Sequence, residues 1–553
     1  MNYRKLLFFF ALIIFTIVIV SKNDTVDSDS LGTLLTSQSI IEHKTIKLDN
    51  YNLTSKRYFY QICKKNENYY YYFPLGSSVS SIPFVFIATK IFSLNMNDKD
   101  DDAKVQKIIA GIISALIFLF LFKIAAFYFS SNISVYLAFV FWLSTSLSST
   151  LGTGLWSQNF ATLYSAIAIY LTLYIIKDKN KETWFILGLV LFLAYLTRPT
   201  MSLLSIFIVL FLFFNHKRAI AMKTALVVSA LLGVFVLFSI YEYKQLLPDY
   251  YMPKRLDSNT FYLALYGNLF SPSRGLFIYS PFLLLFLFNI DKFYIILKKN
   301  KTLLFFLTWI ILHLIVISKF PHWWAGASFG PRFMVDVLIP IYILFLILLY
   351  EITKDKNSLR YKLNLIFLIS SVILSVYINT YQGLFNKYTK IWSSNPNIDE
   401  YPEYLFDWRY PQFLHDKHRQ EERLKEFHNR KEPTIFNSRK IIYEKGWSHL
   451  EKNYIWSIGN NSLLSIKLEE KNYNGTFILD TISLGEQKIK IYINNNYIST
   501  EVLSIYKSEV KFDPNILKLN ALNTIKFGYS NPHKPNNGDK RELAMALKSF
   551  TIE

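Results

Sequence analysis

Residues 108–122 read Ile-Ile-Ala-Gly-Ile-Ile-Ser-Ala-Leu-Ile-Phe-Leu-Phe-Leu-Phe, without a single charge. Wound as an α-helix at about 1.5 Å per residue, this run nearly fills the apolar core of a bilayer, which takes about 17–25 such residues. Leu6–Val20 and Val337–Leu349 are built the same way. A water-soluble domain has no reason to repeat such runs along its length. With 52% apolar and only 18% charged residues, the chain reads as a polytopic α-helical membrane protein.

Working outward, the apolar runs place further spans at about 107–128, 132–150, 158–176, 183–198, 199–214, 224–243, 276–290, 302–319, 334–351 and 363–382. With the first run these make about eleven. Arg4 and Lys5 precede Leu6–Val20, and no small-x-small cleavage pattern follows it, so it is expected to stay as an anchor with a cytoplasmic N-terminus. Alternation from there puts Lys177, Lys179 and Lys181, then Lys217, Arg218 and Lys223, in inner loops. The inner loops of Lys298, Lys299 and Lys301, and of Lys354, Lys356, Arg360 and Lys362, follow suit, as the positive-inside rule requires. This orienting role accounts for much of the +20 net charge and argues against a nucleic-acid partner. The lone Cys63 can form no intramolecular disulfide and has no ligand-spaced neighbours.

A membrane domain is expected over 1–382, with an outer loop at 21–106 in which Val79–Phe92 is too short to span and reads as an interfacial or re-entrant helix. Residues 383–432 are charged and aromatic, and read as a connector. Residues 433–553 alternate apolar and polar positions, as in Leu463–Leu468, Phe477–Ile482, Ile489–Ile493 and Leu522–Phe527. Asn, Gly, Asp and Pro turn signals separate these stretches, which suggests a C-terminal extracytoplasmic β-sandwich domain.

The polar residues with chemical potential gather at predicted outer boundaries. Asp27 and Asp29, just past the first helix, could act as a general base or bind a divalent cation, though Asp29 and Ser30 also suit the N-cap of a helix over Leu31–Ile41. Arg198, Arg274 and Arg332 offer planar donor forks suited to phosphate, or they snorkel to the interface. His322, Trp323, Trp324 and Tyr72 could form a sugar platform or an aromatic belt. No metal site is implied by the pattern.

Taken together, the stretches Asp29-Ser30 with Leu34-Leu35-Thr36, Tyr72-Phe73-Pro74-Leu75-Gly76, Thr197-Arg198-Pro199-Thr200, Ser271-Pro272-Ser273-Arg274-Gly275 and Trp324-Ala325-Gly326 with Gly330-Pro331-Arg332 resemble the GT-C superfamily of membrane glycosyltransferases. Its relatives include the protein O-mannosyltransferases and the lipid A aminoarabinose transferases. The resemblance runs from about residue 5 to about 412, and Gly446-Trp447-Ser448 through Trp456-Ser457 is similar to the β-sandwich tail of some members. It implies transfer of a sugar from a polyprenyl-phosphate donor to a glycan, lipid or protein acceptor at the outer face of the cytoplasmic membrane. Asp29, or Asp27, would be the base; Arg274, Arg332 and Arg198 would hold donor phosphate; Trp447 and Trp456 would meet acceptor glycan or simply pack. The strict Asp-Glu pair of the mannosyltransferases is missing, so sugar and acceptor do not carry over. A glycolipid flippase, and a glycan polymerase or ligase using diphosphate-linked donors, are the alternatives.

Overall fold

The computed structural model describes residues 2–53, 58, 60–178, 183–252, 256, 260–429, 434–435, 441–448, 454–468, 473–502, 508–519, 521–535 and 541–552. The chain divides into two compact units, residues 1–425 and 426–553. The expected connector over 383–432 is corrected by this division. Residues 383–425 are packed into the helical unit, with Trp392 fully buried and its indole donating to the Tyr410 carbonyl at 2.7 Å. Arg423 lies over the same indole, 4.5 Å from its centroid, and donates to the Trp392 carbonyl at 2.7 Å. The Arg423 charge is accommodated inside because aromatic faces and a carbonyl receive it.

Six described helices are long and apolar enough to cross a membrane: Lys99–Ala125, Ser157–Lys177, Arg218–Tyr243, Lys301–Ser318, Arg332–Ile352 and Leu359–Phe385. Helix Tyr3–Ile19 has 17 residues, and Ser131–Leu143, Thr183–Thr197, Pro199–Phe214 and Phe261–Phe270 are shorter apolar helices. Phe261–Phe270 was not expected, and the helix begun at Lys99 starts a full two turns before the apolar run, capped by the Asp98 side chain on the amides of Asp100 and Asp101. The interfacial stretch is a helix over Gly76–Lys90 with Pro83 inside it.

Two expected spans are broken. The span at 132–150 stops at Leu143 and resumes as Ser146–Leu151. The span at 276–290 is a chain of short turns, Leu276–Tyr279, Pro281–Leu284 and Leu285–Phe288, because Pro281 lacks an N–H and holds Ser280 out of helical geometry. A break at membrane depth exposes carbonyls that lipid cannot satisfy. One residue closes both: the Asn379 amide donates to the Ser144 carbonyl at 3.1 Å and the Tyr279 carbonyl at 2.6 Å, while its own oxygen accepts from Ser149 at 3.2 Å. Asn379 sits in a π-helical stretch, Tyr377–Gln382, which rotates it inward. Asn379→Leu leaves the Ser144 carbonyl its bond from the Ser280 hydroxyl, at 3.1 Å, but strips the Tyr279 carbonyl, and should cost about 1–3 kcal/mol, read as a lowered thermal midpoint in detergent; an unchanged midpoint would refute the role.

The helices run so that basic connections meet at one end. Lys177 lies 5.1 Å over the Phe127 ring, Phe129 meets Tyr350, Asn215 bonds Thr302, and Arg360 pairs with Asp291 at 2.5 Å. The loop after the first helix is at the opposite end, where Thr25 bonds Thr153 and Asn23 bonds the carbonyl of Gly383. At this end His415 is buried with Nε2 2.6 Å from the Gln420 side chain, and burial pushes its imidazole down to about 4. A neutral buried His has its full stabilising effect above the unfolded value, about 6.5. Stability should thus be level above pH 6.5, fall as pH drops toward 4, and flatten below. His415→Gln should remove that slope from a pH series of thermal midpoints.

A hairpin in the loop after the first helix pairs β1 (Ile62–Lys65) with β2 (Asn68–Tyr71), and the free Cys63 lies half-buried in β1. In the second unit β3 (Thr434–Ile435), β5 (Ile455–Ile458), β7 (Thr476–Ser483), β10 (Ser508–Lys511) and β12 (Leu543–Ile552) form one antiparallel sheet, with β12 central. The other has the order β4 (Ile441–Lys445), β6 (Asn461–Lys467), β11 (Leu522–Tyr529), β8 (Lys488–Ile493), β9 (Asn496–Val502). Alternation puts Ile489, Ile491 and Ile493 inside on β8 and Phe477 and Leu479 inside on β7. Phe477 and Phe527, one from each sheet, meet at 6.4 Å in a shared core. The β8–β9 hairpin turns on Asn494 and Asn495, both at positive φ, as a two-residue type I′ turn demands. Trp447 packs edge-on against Phe527 and donates to the Leu463 carbonyl, and Trp456 meets Tyr454. Trp447 is thus part of the packing of this unit.

Candidate active site

The loop holding Asp27 and Asp29 is set by its neighbours. Gly32, at φ +101, precedes helix Thr33–His43 without any side-chain cap, which corrects the capping role expected of Asp29 and Ser30. A Cβ on Gly32 would come 2.9 Å from the Tyr71 ring, so the turn needs glycine for both backbone and space. The Tyr71 hydroxyl donates to the Asp29 carbonyl at 2.5 Å and accepts from Thr33 at 2.8 Å. Gln106, on the long helix Lys99–Ala125, donates to the Val26 carbonyl at 3.2 Å. Held at its backbone, the loop is free to present the Asp29 side chain.

That carboxylate meets Arg332 at 2.6 Å through Nη2, and its other oxygen accepts from the Tyr60 hydroxyl at 3.0 Å. Arg332 is 7% exposed, and its guanidinium lies flat on the Trp156 indole, 3.5 Å from the centroid. The pair is therefore desolvated on the arginine side and open on the carboxylate side, where 28% of the Asp29 side chain is exposed. Burial and the nearby Asp29 charge push the Tyr60 phenol up to about 12, so it remains a proton donor to the carboxylate at neutral pH. Asp27 lies apart, mostly exposed, and pairs with Lys99 at 3.1 Å.

The three arginines expected on a common anion part company. Arg198 donates to Asp336 at 2.9 Å and to Ser157 at 2.9 Å, with Thr200 also on the Asp336 oxygen at 2.9 Å. Arg274 is 1% exposed, and its five N–H groups face protein oxygens: the carbonyls of Trp324, Ser273 and Gly326, and the side chains of Gln412 and Ser393. A guanidinium so saturated has no donor left for a phosphate. The expectation of phosphate binding at Arg274 is corrected: it ties together the segments around 271–274, 324–326, 393 and 412. Of the three, Arg332 alone keeps a buried N–H without a partner among the described residues, at Nε.

The aromatic platform is corrected likewise. Trp323 is 2% exposed, wedged where a Cβ on Gly267 would approach within 2.1 Å, and Trp324 donates to Asp399 at 2.6 Å. Neither indole face is open to a sugar. His322 is exposed and leans on Trp324, and Tyr72 is half-buried against Phe73 and Tyr250.

Several members of the site were not anticipated. Trp156 and Tyr60 looked like two among many aromatics, and only their contacts with the ion pair distinguish them. Asp336, 1% exposed, heads an apolar run, and a lone carboxylate there was a readable signal of a buried partner. A small pocket, with room for little more than a water, lies beside Arg332 and is lined by Asn23, Thr25, Thr150, Thr153, Trp156 and Gln412 among others. Among the described residues, no group of three His, Cys, Asp or Glu side chains could hold a metal ion.

Residues 83–241 match the family described as dolichyl-phosphate-mannose-protein mannosyltransferase, which bears out over that stretch the likeness read from the sequence. Among solved structures, ArnT from Cupriavidus metallidurans, bound to undecaprenyl phosphate, aligns over 71% of this chain and 69% of its own, with 12% identity and a TM-score of 0.42. No curated protein matches.

Proposed function

We propose that the protein transfers a sugar from a polyprenyl-phosphate donor to a hydroxyl of a glycan, lipid or protein acceptor, with inversion at the anomeric carbon. The observation that carries this reading is the Asp29–Arg332 pair, half open and aimed out of a membrane-spanning unit. The family matched over residues 83–241 is named for a dolichyl-phosphate sugar, which favours the same donor chemistry. Asp29 takes the acceptor proton as the acceptor oxygen bonds to the anomeric carbon. The bond from that carbon to the phosphate oxygen breaks, and polyprenyl phosphate leaves. Arg332, whose Nε–H is unpartnered, stabilises the charge that grows on the departing phosphate. Trp156 keeps the guanidinium plane fixed, so no reorganisation is needed at the moment of transfer.

The basic connections gathered at the other end favour a cytoplasmic N-terminus and an extracytoplasmic site. A flippase is the second reading. It is favoured by Gln158, Thr162 and Ser165, a buried polar stripe within the span Ser157–Lys177. One experiment separates the two. Protein in proteoliposomes is given radiolabelled polyprenyl-phosphate sugars with an envelope glycan and lipid extract. Label moving onto an acceptor supports the transferase; label crossing the bilayer without transfer assigns the flippase.

A further inference from the structure

The Arg332 guanidinium and the Trp156 indole come from distant segments, and something must hold the two segments at stacking distance. Arg332 opens a short 3-10 turn, Arg332–Val337, a weak support on its own. Trp156 stands one residue before the helix Ser157–Asp178. A single side chain reaches both. Arg198 donates through Nε to Asp336, four residues beyond Arg332, and through Nη1 to Ser157, the residue after Trp156, each at 2.9 Å. Asp336 is held a second time by the Thr200 hydroxyl, at 2.9 Å, from the same Thr197-Arg198-Pro199-Thr200 stretch. His313 adds a further tie: its Nε2 lies 2.9 Å from the carbonyl of Phe333, which can only accept, so the ring donates there. The turn bearing Arg332 is therefore anchored through the residues that follow it.

A buried arginine–aspartate pair has a plain structural use, and for that use the bond to Asp336 suffices. The second bond, to Ser157, compensates no charge. What it adds is geometry. Two donors stand at a fixed angle on one rigid plane, so the guanidinium acts as a spacer of set length between the Arg332 turn and the start of the Trp156 helix. Such a spacer matters where the Arg332 guanidinium lies only 3.5 Å from the indole centroid. We propose that Arg198 is a positioning residue for transfer, keeping Arg332 flat on Trp156 and so in register with the departing phosphate. This rests on the transferase reading and adds to it the side chain through which the stack is held.

Two variants test it without leaving a buried charge unpaired. Ser157→Ala cuts the tie to the Trp156 segment and keeps the Arg198–Asp336 pair, whereas Arg198→Lys keeps a cation on Asp336 but gives up the fork. The first readout is side-chain NMR of arginine-labelled protein in nanodiscs, with the Arg332 Nε–H signal assigned as the one absent from Arg332→Lys. Protons of a guanidinium lying over an indole are shielded by its ring current, and Trp156→Leu gives the unshielded position. In both variants the signal should move toward that position. The second readout is transfer of label from a radiolabelled polyprenyl-phosphate sugar to an envelope glycan and lipid extract. Its kcat should fall by about tenfold in Ser157→Ala and about a hundredfold in Arg198→Lys, with donor KM little changed. In an Arg332→Lys background, Arg198→Lys should then cost nothing further. A signal unmoved in both variants overturns the inference at any rate of transfer. So does a moved signal with the parental rate, or an equal fold-loss in both backgrounds, which marks a merely structural contact. A moved signal in a protein whose parent transfers no label leaves the spacer standing and counts against the transferase reading.

Discussion

Replacing Asp29 by Asn is expected to lower sugar transfer by about 10²–10⁴-fold while leaving the fold and donor binding in place. The carboxamide fills the same volume: its oxygen accepts from Arg332, and its NH2 donates to the Tyr60 hydroxyl once that proton turns away, so the loop pinned by Tyr71 and Gln106 has no reason to move. What is lost is the capacity to take a proton from the attacking hydroxyl. Tyr60 cannot replace it, since its phenol is held protonated up to about pH 12. Asp27→Asn serves as the internal control: that side chain is mostly exposed and paired only with a surface lysine, so transfer should stay near the parental rate. Full transfer by Asp29→Asn, measured on radiolabelled donor in native membranes, would remove Asp29 from the mechanism.

Arg274→Ala should act on stability first. A phosphate ligand lost from a site leaves a folded protein with a raised KM. Here the substitution strips partners from three carbonyls and from the Gln412 and Ser393 side chains, all in a dry interior. Gln412 would still accept from the Gly330 amide, at 3.3 Å, but the segments around Trp324 and Gly326 would lose their common anchor. Each buried acceptor left without a donor costs about 1–3 kcal/mol. The expected result is a sharp fall in folded yield and in the detergent thermal midpoint. A variant that folds normally and only binds donor less tightly would return Arg274 to the phosphate.

Asn379 shows how a break in a span is closed from a distance. Breaks near Ser144 and Ser280 are tolerated because a carboxamide more than 200 residues away from the first of them supplies the missing donors. The Ser280-Pro281 break could be read locally from proline. The break after Leu143 could not, since Ser144 and Thr145 do not by themselves end a helix.

The sequence by itself determined what depends on local order: apolar runs of bilayer length, the basic connections between them, and the two-residue alternation that becomes β6, β7, β8 and β11. It also marked Asp27 and Asp29, and Arg198, Arg274 and Arg332, as candidates without ranking the arginines, because carboxylates and arginines at the boundary of apolar runs are expensive unless used. The pairing of Asp29 with Arg332 across 303 positions, and the Trp156 face beneath it, belong to tertiary structure alone. So does the sorting of three similar arginines into one on Asp29, one on Asp336 and one sealed among carbonyls. A side chain's identity states which bonds it can make, whereas burial and the direction of its neighbours decide which of them it makes.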